Sequence, residues 1–462
     1  MSVSTDAVAH LLLNRFGPTS VLLGEDVRER PVSKQIVSGC EALALLRPAD
    51  TQELASMVRF CVEHELPMVP RAGMTGLVGG TVTSPDEVSL SLERMNRVVS
   101  VDRDAQTAVV QAGTPLQAIH EAVQAHGMQF PLDLGARGSA TIGGMLSTNA
   151  GGNKVLRYGM TRDLVLGLEV VLPDGQIMNS MYRLLKNNTG LDLKQLYIGT
   201  EGTLGIITQA VLRLFPSTDD RHAALCAFES FDAMVQMLNL MRAHAGPALS
   251  SYEVMWNAYY ALVTQPGRLR APLSRDYPLY ALIECEYPAQ GRSAQNGERF
   301  AQTLQTAMEQ GLVIDAVIAQ SESERGALWR LRDEVHYIRT LSPIYTFDVS
   351  LPIGQMQAYL RSLRSELRAR WPDAVFIVYG HVGDGNLHLA ISCGGKEDDH
   401  TIEQLVYEPL AAIGGSVSAE HGIGLYKKPY LQFSRNPVEL AVMRSVKAAL
   451  DPKNLMNPGK IL

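Results

Sequence analysis

The sequence predicts an α+β chain in two unlike parts. Glycine-rich passages crowd the stretch up to Pro216, whereas beyond it glycine thins out and helix-like segments alternate with apolar strands. Size is the third observation: 462 residues exceed what one hydrophobic core holds and imply roughly two to three domains.

Composition narrows the class. Apolar residues at 46% and charged ones at 19% describe a globular chain. A net charge of −7 without a basic stripe argues against a general nucleic-acid binder. The five cysteines, Cys40, Cys61, Cys226, Cys285 and Cys393, show no CxxC spacing, which suits a reducing compartment and excludes a cysteine-held iron–sulfur cluster. Residues 1–16 lack the basic start and long apolar centre of a secretory signal, and no stretch approaches a membrane span, so a cytoplasmic protein is expected.

In order, a helix is expected to start near Thr5, with linker and edge strand over 32–39. A second helix, 50–65, carries Leu54, Val58, Cys61 and Val62 on one face. The passage 70–80 places four glycines in eleven residues after a strand-like Pro67-Met68-Val69; it is either a loop whose amides hold a diphosphate or a plain glycine-rich turn. Residues 88–101 and 107–112 read as strands, followed by a helix with Thr114 as N-cap, Pro115 in its first turn and Gly127 beyond its end.

A second glycine-rich passage, 131–152, is too rich in small residues to build a core and makes room for something flat and large. A third, 199–208, follows a strand-turn-strand over 168–177. No GxGxxG opens a helix, so a dinucleotide would be held by something other than a Rossmann fingerprint. Residues 217–411 read as a second, α+β domain with helices over 232–245 and 293–310 and strands over 279–286 and 375–379. A last helix begins at Asn436 and Pro437 and presents Leu440, Met443, Val446 and Leu450.

The chemistry concentrates near the C-terminus. His381 and His388 are seven apart, so on one strand they would face opposite sides; the turn residues Gly383-Asp384-Gly385-Asn386, with positive φ at the glycines and Asn386, would fold them side by side. With Glu420 they would make two nitrogen ligands and one oxygen, the count of a catalytic zinc-type site, leaving His421 as a general base. The alternative is a set of separately hydrogen-bonded histidines.

Taken in order, these passages resemble the FAD-linked D-2-hydroxyacid dehydrogenases of the vanillyl-alcohol-oxidase-like flavoprotein superfamily, across almost the whole chain. The resemblance implies a segment 1–39, a two-subdomain FAD-binding domain over 40–216, a substrate cap with an antiparallel sheet over 217–411 and a C-terminal return over 412–462. It implies FAD contacts from Arg71, Gly73, Met74, Thr75, Gly76 and Gly79 in the first passage. Leu134, Gly138, Ser139, Ile142, Gly143, Thr148, Asn149, Gly151 and Gly159 would follow from the second, and Glu201, Gly205, Ile207 and Asn457 from farther on. Met74-Thr75 stand where covalent relatives carry histidine, so the FAD is expected to be noncovalent.

The resemblance also implies a divalent metal, commonly zinc with manganese or iron as alternatives, on His381, His388 and Glu420, with His421 as base and Asn386 nearby. Arg332 matches an arginine used on the substrate carboxylate, a task its planar fork suits; alone it could equally be a surface helix arginine. Where 2-hydroxyglutarate enzymes carry a threonine and a lysine near the second carboxylate, this chain has His336 and Thr346, which argues against strict use of that acid. The acceptor implied is an electron-transfer flavoprotein, quinone or cytochrome rather than NAD, and a homodimer is the expected assembly. The alternatives are a flavin subunit of a glycolate-oxidase-like complex, inactive alone, and a flavin-free metal hydrolase.

Overall fold

A computed structural model describes residues 5–33, 39–288, 293–395 and 398–462, in two compact units. The first comprises residues 1–151, 160–216 and 420–462, the second residues 152–159 and 217–419. The expected linker over 32–39 lies largely outside the described residues.

The first unit holds two sheets. One runs in the order Val21–Leu23, Ala44–Leu46, Val88–Ser91, Met68–Arg71, antiparallel in its first pair and parallel in the other two. Helix Thr51–Glu63 connects two of its strands, buries Leu54, Val58 and Cys61, and is capped by Asp50, whose side chain accepts from the Glu53 amide at 2.8 Å. The other sheet is antiparallel, in the order Val98–Asp102, Thr107–Gln111, Ile206–Arg213, Val165–Val171, Ile177–Ser180.

Two expectations change here. Residues 88–101 form two strands, one in each sheet, because the chain turns between Ser91 and Val98. The next helix is Leu116–Gln124 with Pro115 at its N-cap, and buried Thr114 makes no capping bond. Helix Pro437–Leu450 has the expected start at Asn436, whose cap is completed as a capping box by Glu439, yet none of its residues is fully buried.

The second unit is one seven-stranded antiparallel sheet in the order Asp315–Ile318, Asp220–Phe228, Leu279–Tyr287, Leu249–Trp256, Val375–Gly380, Asn386–Ser392, Tyr345–Ser350. On one face, Leu225, Met255, Tyr280, Leu282, Ile377 and Ala390 pack with Tyr259 and Tyr260 of helix Asn257–Val263 and Leu328 and Leu331 of helix Glu322–Asp333. Full burial of one large apolar side chain contributes about 1.5–3 kcal/mol, so this shared core fixes both helices on the sheet. Among the described residues no helix is long and apolar enough to cross a membrane, and the five cysteines are free and buried.

Candidate flavin and substrate sites

Each unit contributes a distinct set of functional residues. In the first, the predicted cofactor residues are joined by close backbone contacts. A Cβ on Gly73 would stand 2.0 Å from the carbonyl oxygen of Ser139, so the first and second glycine passages touch where only glycine fits. Arg71 is buried and donates to the Pro31 carbonyl at 2.5 Å; burial lowers its pKa. Ile142 and Gly143 direct their amides to the Thr114 and Ala112 carbonyls at 3.0 and 2.7 Å, anchoring helix Ile142–Thr148.

Glu201 accepts from the Ile423 and Gly424 amides at 2.6 and 2.9 Å, while Asn457 Nδ2 donates to the Glu201 carbonyl at 2.7 Å and to that of Gly80 at 3.3 Å. Residues 80, 201, 423–424 and 457 are thereby gathered. Of the eight described non-glycine residues in left-handed conformation, Met74, Asn149, Glu201 and Asn457 fall in the predicted cofactor set, and such strain clusters at functional sites.

Other predicted residues have local settings of their own. Ile207 is interior to strand Ile206–Arg213, and Gly159 ends a short helix in the second unit. Gly76 and Gly138 have open space where a side chain would stand. Buried Thr114 Oγ1, Thr141 Oγ1 and Asn457 Oδ1 have no hydrogen-bond partner among the described residues. Open glycine loops with orphaned buried acceptors fit a large polar cofactor.

In the second unit, the 381–388 segment folds as the spacing predicts. Strands Val375–Gly380 and Asn386–Ser392 pair antiparallel around a tight turn, and the rings of His381 and His388 lie 5.3 Å apart at 78°. Gly385 takes the left-handed conformation at φ 93°; Asn386 instead opens the next strand, a correction to the turn expected from sequence. Buried Asn386 donates to Asp348 Oδ1 at 2.8 Å and to the Val349 carbonyl at 3.0 Å, leaving its own Oδ1 without a partner among the described residues.

Arg332 is no surface arginine. Helix Glu322–Asp333 starts at Ser321, whose Oγ accepts from the Glu324 amide, and lays Arg325, Trp329 and Arg332 toward the sheet. Arg325 Nη1 and Trp329 Nε1 reach Glu284 at 2.8 and 2.7 Å, and Arg332 Nε reaches Glu253 Oε2 at 2.7 Å. The Arg332 guanidinium lies 5.0 Å from the Tyr379 ring centre, and its backbone carbonyl accepts from the Tyr259 hydroxyl at 2.8 Å.

Glu253 was not singled out by sequence reasoning. It is 1% exposed and also accepts from His381 Nδ1 at 2.6 Å. Burial by itself pushes its carboxyl up, but His381 and Arg332 outweigh that and hold it down, to about 2. The available signal was a lone charge in the otherwise uncharged strand Leu249–Trp256.

Of the other predicted residues, His336 has a side chain 61% exposed and pairs with Glu334 at 2.6 Å, and Thr346 is exposed. Thr346 shares its strand face with buried Asp348, two residues on. Ala419 donates its amide to Asp348 Oδ2 at 3.2 Å, and Glu420 is the next residue. Within the second unit the His381 and His388 rings stand together, 5.3 Å between centres, while Glu420 and His421 open the last segment of the first unit. Two imidazoles at that spacing suit two nitrogen ligands of a divalent metal.

Comparison with known proteins bears on the family and the fold. A family profile described as FAD linked oxidases, C-terminal domain, matches residues 218–461, and one described as FAD binding domain matches residues 42–180. A relative from Xanthomonas citri pv. viticola named D-2-hydroxyglutarate dehydrogenase is 39% identical over 426 residues, covering 91% of this chain and 89% of the relative. A mitochondrial D-2-hydroxyglutarate dehydrogenase from Bos taurus is 41% identical over 422 residues, covering 90% and 76%. The substrate-bound crystal structure of p-cresol methylhydroxylase matches with a TM-score of 0.75 at 15% identity, over 99% of this chain and 96% of that one, a likeness of fold alone.

The chain is therefore an FAD-dependent oxidoreductase with the fold of the vanillyl-alcohol-oxidase-type flavoproteins. Within that class it belongs to the FAD-linked D-2-hydroxyacid dehydrogenase family.

Proposed function

We propose that this chain oxidises a D-2-hydroxy acid of the D-2-hydroxyglutarate, D-lactate or D-malate type to the 2-oxo acid, using noncovalent FAD and a divalent metal, zinc first. The observation that carries the reading is the buried Arg332, held through Glu253 beside His381, with His388 across the hairpin. The names of the relatives from Xanthomonas citri pv. viticola and Bos taurus put D-2-hydroxyglutarate at the head of the substrates to test.

Arg332 binds the substrate carboxylate; a guanidinium keeps its charge there, and Glu253 raises its pKa further against the pull of burial. His381, His388 and Glu420 would hold the metal, which would supply Lewis-acid polarisation of the 2-hydroxyl. His421 takes the hydroxyl proton at an imidazole nitrogen, and Asn386 offers its unpartnered Oδ1 as an acceptor toward the substrate. FAD held in the first unit would supply the hydride acceptor for the C2 hydrogen. The residues of the first unit gathered around Gly73, Glu201 and Asn457 shape its cradle.

Electrons then leave to an electron-transfer flavoprotein, a quinone or a cytochrome rather than to NAD, and the reading includes a cytoplasmic homodimer. The test is an anaerobic spectrum of the purified chain against D- and L-lactate, malate, 2-hydroxyglutarate and mandelate, before and after chelation. Bleaching of the flavin by one D-acid, abolished by chelation and restored by zinc, is the expected result. A bound flavin that no acid bleaches, even with zinc or manganese restored, would overturn it.

A further inference from the structure

His381 and Arg332 meet one carboxylate that comes from neither of their own segments. Glu253 lies 128 residues from His381 and 79 from Arg332, and bonds both, Oε1 to His381 Nδ1 at 2.6 Å and Oε2 to Arg332 Nε at 2.7 Å. A third contact closes the triangle, Arg332 Nη2 to His381 Nε2 at 3.1 Å.

Donor and acceptor roles follow. A guanidinium can only donate, so His381 Nε2 carries the lone pair and Nδ1 the hydrogen that goes to Glu253. The ring is thus held in the neutral tautomer whose Nε2 lone pair accepts from Arg332 here and is the one a metal would take in exchange for that bond. Arg332 gives Nε to Glu253, which fixes the plane of its fork and keeps Nη2 beside that same nitrogen.

We propose that Glu253 is a positioning residue that sets two functions with one carboxylate: which nitrogen His381 presents to a divalent metal, and how Arg332 presents its guanidinium to the substrate carboxylate. The proposal deepens the function proposed above and rests on it for the identity of the two ligands. Core packing alone is a poor account of this residue. Its strand face also carries Ser251 and Met255, with Leu282 opposite Glu253 on the neighbouring strand, and a buried ion pair is commonly no more stabilising than an apolar pair of the same volume. A carboxylate on the far nitrogen of a metal-binding histidine acts on tautomer, ring orientation and ligand basicity, and its loss typically costs about 10–100-fold in metal affinity.

The test uses the flavin-loaded full chain and E253Q. Glutamine has one acceptor oxygen, so it keeps one of the two bonds and turns an amide N–H₂ toward the other donor. Expected are a zinc Kd raised about 10–100-fold by chelator competition and, at saturating zinc, a KM for the flavin-bleaching acid raised about tenfold with kcat changed much less. Nitrogen-15 spectra of the zinc-free protein should show His381 wholly as the Nδ1–H tautomer in the wild type and as a mixture in E253Q. E253D, which keeps both oxygens, should recover part of each change.

A merely structural role would lower the melting temperature and leave these constants unmoved in the folded fraction. Zinc Kd and KM both within twofold of wild type, with an unchanged tautomer, would overturn the proposal. If E253Q fails to fold, E253D decides by the same three readings. If the wild type oxidises no D-2-hydroxy acid, the function reading falls, while the zinc and tautomer measurements still decide the role of Glu253.

Discussion

The first unit shapes its site with backbone, through Gly73 against the Ser139 carbonyl, left-handed Met74, Asn149, Glu201 and Asn457, and amides of residues 423–424 bent onto one carboxylate. The second unit shapes its candidate site with buried side-chain charge, through Glu253 and Asp348 on an antiparallel sheet, His381 just past a strand end and Arg332 on a helix packed against it. A backbone cradle suits a large ligand that needs shape and many weak contacts. A buried charge array suits a small anion and a metal, for which a few contacts must be strong and rigid. The difference teaches that each unit should fail separately when its own device is damaged.

The largest expected effect comes from H388A. Loss of one of two imidazole ligands should lower kcat/KM at least about a thousandfold, about 4 kcal/mol of transition-state stabilisation. Flavin content should stay stoichiometric, measured by absorbance after desalting; release of flavin would break the comparison. G73A is the converse. Its Cβ would overlap a backbone oxygen that cannot swing aside, costing about 3 kcal/mol or more and the bound flavin. Zinc affinity should stay within twofold, and a parallel loss of zinc would show that the two devices are not independent.

What could be read in advance divides along the same line. Asn436 as a helix cap and the 380–388 hairpin are local, with cause and effect within a few residues, and each appears in the structure. The glycine passages announce a cradle, since a backbone site writes itself as glycine density. Glu253 could not be found as a partner, because nothing within a strand says that a residue 128 positions on will lie against it. The Thr114 cap failed because Pro115, with its fixed φ, could serve as N-cap itself. His336 lies exposed on the 3₁₀ turn Val335–Thr340, two residues beyond the Glu334 it pairs with, a turn that the resemblance did not foresee.

A smaller effect sharpens the picture of the charge array. Y259F removes the hydroxyl that donates to the Arg332 carbonyl at 2.8 Å inside the core, and should cost about 1 kcal/mol of stability. Because Glu253 still holds the guanidinium, KM should shift less than about threefold. A tenfold rise in KM at unchanged melting temperature would mean that the backbone of helix Glu322–Asp333, and not Glu253, aims Arg332.

The smallest effect tests whether a charge does comparable duty in the backbone-built unit. Burial is the largest influence on the Glu201 carboxyl and raises its pKa; the amides of Ile423 and Gly424 and nearby Lys427 offset this only in part. The folded chain therefore holds the Glu201 proton to higher pH than the unfolded chain does. Its contribution to stability is greatest below the unfolded carboxylate range and declines as pH rises through that range to the raised folded value. E201Q keeps one acceptor oxygen for the two amides, losing a bond worth about 1 kcal/mol, and it cannot titrate. Denaturant melts of wild type and E201Q across mildly acidic to neutral pH should show the wild-type advantage shrinking as pH rises. An advantage that grows with pH would mean that the two amides and Lys427 govern Glu201, making it a charge device of the kind found in the second unit.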